Sequence, residues 1–150
     1  MNDRTILLVE DNESDVELTR RALARNRIVN ELKVVHDGQA AIDLLLGEGA
    51  GSDSGPGGRT ATPLPALVLL DLKLPKLDGI EVLNRLRGNP RTRRLPIVIL
   101  TSSREQDDLA AGYDGGANSY IRKPVDFHAF VEAIRQIGLY WLALNEQPPL

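Results

Sequence analysis

The sequence predicts an α/β protein, a doubly wound parallel sheet of five strands covered by five helices. Three observations predict it. Five short apolar runs recur along the chain, each followed by a stretch with helical periodicity. The central run, Leu67 to Leu70, is apolar without alternation, as in a strand buried on both faces. Polar or charged residues close these runs, and in open parallel sheets ligands bind just beyond the strands' carboxyl ends.

Taken in order, Thr5 to Val9 (TILLV) is the first strand, and Val16, Leu18, Ala22 and Leu23 give the helix from Ser14 its apolar side. Glu31 to Val35 alternates as a half-buried second strand. The Asp37-Gly38 turn follows, then a second helix carrying Ala40, Ala41, Ile42, Leu44, Leu45 and Leu46. Leu67 to Leu70 is the third strand and Ile80 to Leu86 the helix after it. Ile97 to Leu100, entered from Pro96, is the fourth strand, and Glu105 to Tyr113 is a weaker helix closed by Gly115-Gly116. Ser119 to Ile121 is a short fifth strand. The last helix runs from Val125 to about Leu144 and stops before Pro148-Pro149.

One stretch breaks the rhythm: Gly47 to Pro65 (GEGAGSDSGPGGRTATPLP). It follows a helix and contains neither G-x-G-x-x-G nor G-x-x-x-x-G-K-[ST], so it reads as a flexible insertion rather than a phosphate cradle. Entering the third strand at its amino end, it belongs at the sheet edge opposite Asp71.

Composition narrows the function classes. The 150 residues, 42% hydrophobic and 26% charged, suit one domain spanning 1–150. Eighteen basic against 21 acidic residues give a net charge of -3, which argues against nucleic acid or an anionic membrane as partner. Arg85, Arg87, Arg91, Arg93 and Arg94 cluster in RLRGNPRTRRLP without interleaved aromatics, and read as a solvated helix end and loop. With no cysteine there is neither a disulfide framework nor a thiolate metal site, and His36 and His128 lack metal-ligand spacing. The polar start Met-Asn-Asp-Arg is not a signal peptide, and no apolar stretch approaches the ~20 residues of a membrane span. The expectation is a cytoplasmic protein.

The strand ends carry the chemistry. Glu10 and Asp11 follow the first strand, Asp71 the third, Thr101 the fourth, and Lys123 the fifth, before Pro124. Each alone has an ordinary reading: a helix cap for the carboxylates or Thr101, a solvated loop lysine for Lys123. Together they converge on one sheet edge, where three close carboxylates repel one another unless a cation intervenes. Hard oxygen ligands with no His or Cys nearby suit Mg²⁺ better than zinc. An aspartate can accept a phosphoryl group as nucleophile while a metal, a lysine and a hydroxyl stabilise the transferred charge. Asp71, central on the edge, is the candidate nucleophile; Glu10 and Asp11 are candidate metal ligands, and Lys123 and Thr101 candidate phosphoryl contacts.

At these residues the chain resembles a known family. ILLVEDNESD, LVLLDLKLPKLDG, IVILTSS and YIRKP are similar to the successive signatures of the receiver domain of two-component response regulators. The resemblance covers nearly the whole chain. It implies a flavodoxin-like strand order 2-1-3-4-5, with Asp71 as phospho-acceptor and Mg²⁺ held by Glu10, Asp11, Asp71 and the backbone carbonyl of Lys73. It also implies Thr101 and Tyr120 as the switch pair, Lys123 as the phosphate-pairing lysine, and a cis Lys123–Pro124 bond. Ser102 stands where many receivers carry alanine or glycine. A narrower resemblance, through ILLVEDNESDVELTRRAL and the ending IGLYWLALNEQPP, is to single-domain regulators served by bacterial phytochrome kinases.

Such a regulator has a sensor histidine kinase, here a bacteriophytochrome, as partner, and takes a phosphoryl group without being an enzyme. Two other classes share part of this pattern. A Mg²⁺-dependent phosphohydrolase of the haloacid-dehalogenase type also uses a strand-end aspartate, but its second aspartate is replaced here by Lys73. A non-phosphorylated adaptor leaves the polar convergence unexplained. The last helix adds one more expectation. Phe127, Phe130, Val131 and Ile134 satisfy a sheet-facing stripe, whereas the extension over 137–150 carries Ile137, Leu139, Tyr140, Trp141, Leu142 and Leu144 in nearly every direction. A homodimer through Ile137, Tyr140, Trp141 and Leu144 absorbs that surface; folding back over the chain's own core is the alternative.

Overall fold

The computed structural model describes residues 4–47, 64–101, 113–122 and 127–138. Its elements run β1 (Ile6–Val9), α1 (Glu13–Arg25), β2 (Leu32–Val35), α2 (Gly38–Leu46), β3 (Leu67–Leu70), α3 (Gly79–Arg87), β4 (Ile97–Thr101), β5 (Ser119–Arg122) and α4 (Phe127–Ile137). The five strands form one parallel sheet in the order β2-β1-β3-β4-β5. That is the expected doubly wound order. Of the expected fourth helix, Glu105 to Tyr113, only Tyr113 is described, and the insertion is described only at its ends, Gly47 and Leu64-Pro65.

Because β1, β3 and β4 are central, their successive side chains feed two different cores. Leu7, Val9, Val68, Leu70, Ile97 and Ile99 pack with Ile42 and Leu45 of α2 and Val82, Leu83 and Leu86 of α3. Ile6, Leu8, Leu67, Leu69, Val98 and Leu100 pack with Val16, Ala22 and Leu23 of α1 and Phe130, Ile134 and Ile137 of α4. Each such side chain contributes about 1.5–3 kcal/mol when fully buried. β2, at one edge, is only partly buried and turns Lys33 outward, a charge that discourages further strand pairing.

The helices start where side chains satisfy their first amides. Asn12 accepts from Asp15 N, Asp37 from Ala40 N, and Asp78 from Glu81 N, at 2.7–3.0 Å. The cap of α2 is thus the first residue of the expected Asp37-Gly38 turn. α2 ends at Gly47, whose φ of 78° places it in the left-handed region. α1 and α4 are tied by Asn26, whose side-chain amide donates to Val131 O at 2.9 Å.

Two expectations are corrected. Ile137 was assigned to a dimer contact, but it is 6% exposed and continues the Phe130–Ile134 stripe at i+7 into the chain's own core. Beside it a Cβ on Gly138 would stand 2.5 Å from Ile28 Cδ1, so α1's connection closes over this end of α4. The arginine cluster is also not wholly solvated. Arg87 donates to Gly116 O (2.8 Å), Asn118 Oδ1 (3.0 Å), Arg93 O (3.2 Å) and Thr92 O (3.3 Å), and burial lowers its pKa. Asn118 Oδ1 also accepts from Ile97 N at 2.7 Å, so Arg87 locks the entries of β4 and β5.

Candidate functional site

Register alone brings the acidic residues together. Val9 of β1 is level with Leu70 of β3, so one further residue on each strand puts Glu10 beside Asp71. The ladder continues at Glu10 N to Val35 O (3.0 Å) and Asp71 N to Val9 O (3.1 Å), which fixes both backbones beyond their strands. β4 extends further along the same edge, with Ile99 level with Leu70 and Thr101 level with Arg122, the last residue of β5.

Glu10, Asp11 and Asp71 each offer a carboxylate oxygen, and the three oxygens lie within 4.8 Å of one another. Glu10 and Asp71 are buried, 1% and 7% exposed, while Asp11 faces solvent. Two backbone amides orient the buried pair: Leu72 N donates to Asp71 Oδ1 at 2.8 Å, and Asn12 N to Glu10 Oε2 at 3.3 Å. His36 Nδ1 lies 3.2 Å from the Glu10 carbonyl oxygen and 3.6 Å from a Glu13 carboxylate oxygen, at the rim.

This arrangement fits a hard divalent cation. Ionised carboxylates at such spacing repel by about 3 kcal/mol per pair at an effective dielectric near 20, and a shared cation reverses the sign of that interaction. An all-oxygen donor set with one solvent-facing member suits Mg²⁺, which keeps several waters and pairs with phosphate. A cavity of about 300 Å³ is lined by Leu72, Lys73, Leu74 and Asp78 of the loop between β3 and α3 and by Ile80 of α3.

The backbone puts Thr101 at the carboxyl end of β4 and Tyr120 within β5, level with Ile99; their side chains are outside the described residues. Lys123, Ser102 and the Lys123–Pro124 bond also lie outside, as do Tyr140, Trp141 and Leu144. Lys73 is exposed on the loop that follows Asp71.

The model of the response regulator receiver domain matches residues 6–135. The chain belongs to the response regulator receiver family. Among its relatives, the probable methanogenesis regulatory protein FilR2 of Methanothrix harundinacea is 42% identical over 144 residues, covering 95% of this chain and 86% of that protein. The response regulator Rcp1 of Synechocystis is 37% identical over 139 residues, 93% of this chain and 89% of that one. A crystal structure of Rcp1 in its Mn²⁺-bound form superposes with a TM-score of 0.80 at 34% identity, covering 97% of this chain and 99% of that one. The phosphorylated cyanobacterial phytochrome response regulator RcpA gives 0.82 at 35% identity, with the same coverage.

The receiver is a phosphoryl-accepting signalling domain rather than a catalytic enzyme family, and its kind of partner is a histidine kinase. The phosphohydrolase alternative finds no support. Among the described residues no helix is long and apolar enough to cross a membrane.

Sequence reasoning missed what holds the loop after Asp71. It read Asp37-Gly38 as a turn, but Gly38 opens α2 and packs closely against Leu77 of that loop. A glycine just inside a capped helix start was the available signal, because nothing about helix geometry requires glycine there.

Proposed function

We propose that this chain is a receiver forming one domain over 1–150, phosphorylated on Asp71 by a sensor histidine kinase of the bacteriophytochrome class. The observation that carries the reading is the Glu10–Asp11–Asp71 cluster at the carboxyl edge of the sheet, its oxygens within 4.8 Å. The three carboxylates and the Lys73 carbonyl would hold Mg²⁺ there, and the ion would supply charge neutralisation for phosphoryl transfer. An Asp71 carboxylate oxygen attacks the phosphorus of the phosphohistidine. The new P–O bond forms as the P–N bond breaks, and the kinase imidazole leaves. Lys123 and the Thr101 hydroxyl contact the transferred group.

The signal then passes from Thr101 to Tyr120: a hydroxyl drawn to the phosphoryl group vacates space into which the aromatic ring moves. Output is to a partner or to a second copy, the homodimer using Tyr140, Trp141 and Leu144, without nucleic acid or membrane. The kinase and the exchange are cytoplasmic. The phytochrome class of kinase is supported by the similarity to the cyanobacterial phytochrome response regulator RcpA. Phosphotransfer profiling against purified histidine kinases of the source organism tests it. Preferred transfer from a phytochrome kinase is expected, and preferred transfer from a kinase of another sensory class overturns that assignment.

A further inference from the structure

The loop between β3 and α3 is closed at both ends by glycines that leave no room for a side chain. At its base, Gly79 N donates to Leu72 O at 2.9 Å, and a Cβ on Gly79 would overlap the Asp71 carbonyl oxygen. At its tip, a Cβ on Gly38 would overlap the Leu77 carbonyl oxygen and stand 2.9 Å from the Leu77 Cβ. The left-handed glycines of the described residues are Gly47 and Gly116, so Gly38 serves close approach, not an unusual φ.

Two further contacts join the same two segments. Gly38 N donates to Pro75 O at 3.4 Å, and Lys76 Nζ lies 3.6 Å from Asp37 Oδ2, on the carboxylate whose other oxygen caps α2. Within the loop, Leu77 N returns to Pro75 O at 2.7 Å and forces Lys76 into a left-handed φ of 67°. A non-glycine residue adopts that conformation only where its surroundings impose it. Here the surroundings are the first turn of α2.

We propose that the Asp37–Gly38 corner is a positioning element for the divalent-cation site. It holds the 72–79 loop in the one conformation that presents the Lys73 carbonyl to the Asp71 pocket. The proposal rests on the reading of Lys73 as a metal ligand given above. The loop's backbone conformation, not the Lys76 ammonium, is what matters: the ammonium is exposed and its contact with Asp37 long, so the pair is weak.

Two substitutions at Lys76 separate these contributions. Lys76→Gly and Lys76→Pro both remove the ammonium, but glycine accepts a φ of 67° and proline, locked near -65°, forbids it. Calorimetric Mg²⁺ titration of the full chain reads the outcome directly. Lys76→Gly is expected to bind within about twofold of wild type and Lys76→Pro at least about tenfold more weakly, the range of substitutions beside a metal ligand. Gly38→Ala is expected to weaken binding likewise; should it fail to fold, the exposed Lys76 pair still decides. Leu45→Ala, a core truncation on the same helix, controls for lost stability and is expected to keep wild-type affinity. Equal affinities in Lys76→Gly and Lys76→Pro overturn the proposal, as does an equal loss in Leu45→Ala. Asp11→Ala in the same titration tells the two readings apart. Binding lost there but intact in Lys76→Pro removes the loop inference alone, whereas binding intact in Asp11→Ala removes the metal-site reading beneath it.

Discussion

Asp71 is placed by its own chain on two sides. Its amide continues the ladder to Val9 O, and one carboxylate oxygen accepts from Leu72 N, so the side chain stands at a fixed height on the edge beside Glu10. Asp11 differs, being exposed and carried on the loop before Asn12 caps α1. That contrast separates their roles. Asp11→Ala is expected to raise the Mg²⁺ concentration needed for phosphorylation by about tenfold or more while leaving the acceptor in place, as losing one carboxylate ligand should. Titrating Mg²⁺ during acetyl phosphate labelling measures it. Lys123→Ala is expected to keep Mg²⁺ affinity and lose phosphorylation rate or its readout, which the same titration separates. The acidic trio was legible in the sequence because Glu10 and Asp71 directly follow strands and Asp11 comes next after Glu10, and parallel register does the rest. The supporting contacts were not legible, since Gly38 meets Leu77 only through the way α2 lands on the sheet.

At the scale of elements, apolar periodicity located the helix faces well, yet it misassigned Ile137. The count that began at Phe127 stopped at Ile134, whereas the buried stripe is Phe130, Ile134 and Ile137. Ile137→Ala is therefore expected to destabilise the folded chain by about 2–5 kcal/mol, the range for truncating a buried isoleucine. Urea unfolding at two protein concentrations checks it: the loss is the same at both, whereas a loss that appears only through association restores the dimer role. Arg87 shows the opposite error, a cation in an arginine-rich stretch that is half-buried and tied to the backbone. Neither composition nor spacing distinguishes it from Arg91 or Arg93; only the return of the chain through Gly116 and Asn118 does. Arg87→Met is expected to cost about 1–3 kcal/mol by leaving acceptors at the start of β4 and β5 without their donor, measured by the same unfolding experiment.

For the molecule as a whole, the sheet divides two cores and carries the acidic pocket on one edge, so a cation or phosphoryl group there touches the ends of several strands at once. Binding to the folded state alone adds stability by mass action, about 2.7 kcal/mol at a ligand concentration one hundred times the dissociation constant. The urea midpoint of the wild type is accordingly expected to rise with Mg²⁺, and that of Asp11→Ala much less. Beryllofluoride, a phosphoryl mimic, is expected to shift NMR signals from Asp71 through Thr101 and Tyr120 toward α4; shifts confined to the metal loops contradict the switch. The strand order followed from the resemblance to receivers; five strand–helix units with right-handed crossovers narrow the arrangements without choosing among them. The homodimer was argued from an apolar tail beyond Ile137, and sedimentation of Trp141→Ala and Leu144→Glu beside wild type tests it, a monomeric wild type with and without beryllofluoride removing it. Everything functional, however, depends on Asp71 being the acceptor. Intact-protein mass spectrometry after incubation with acetyl phosphate decides that: one added phosphoryl group in the wild type with Mg²⁺, none without it, and none in Asp71→Asn is the expected result, and labelling that survives Asp71→Asn contradicts the account.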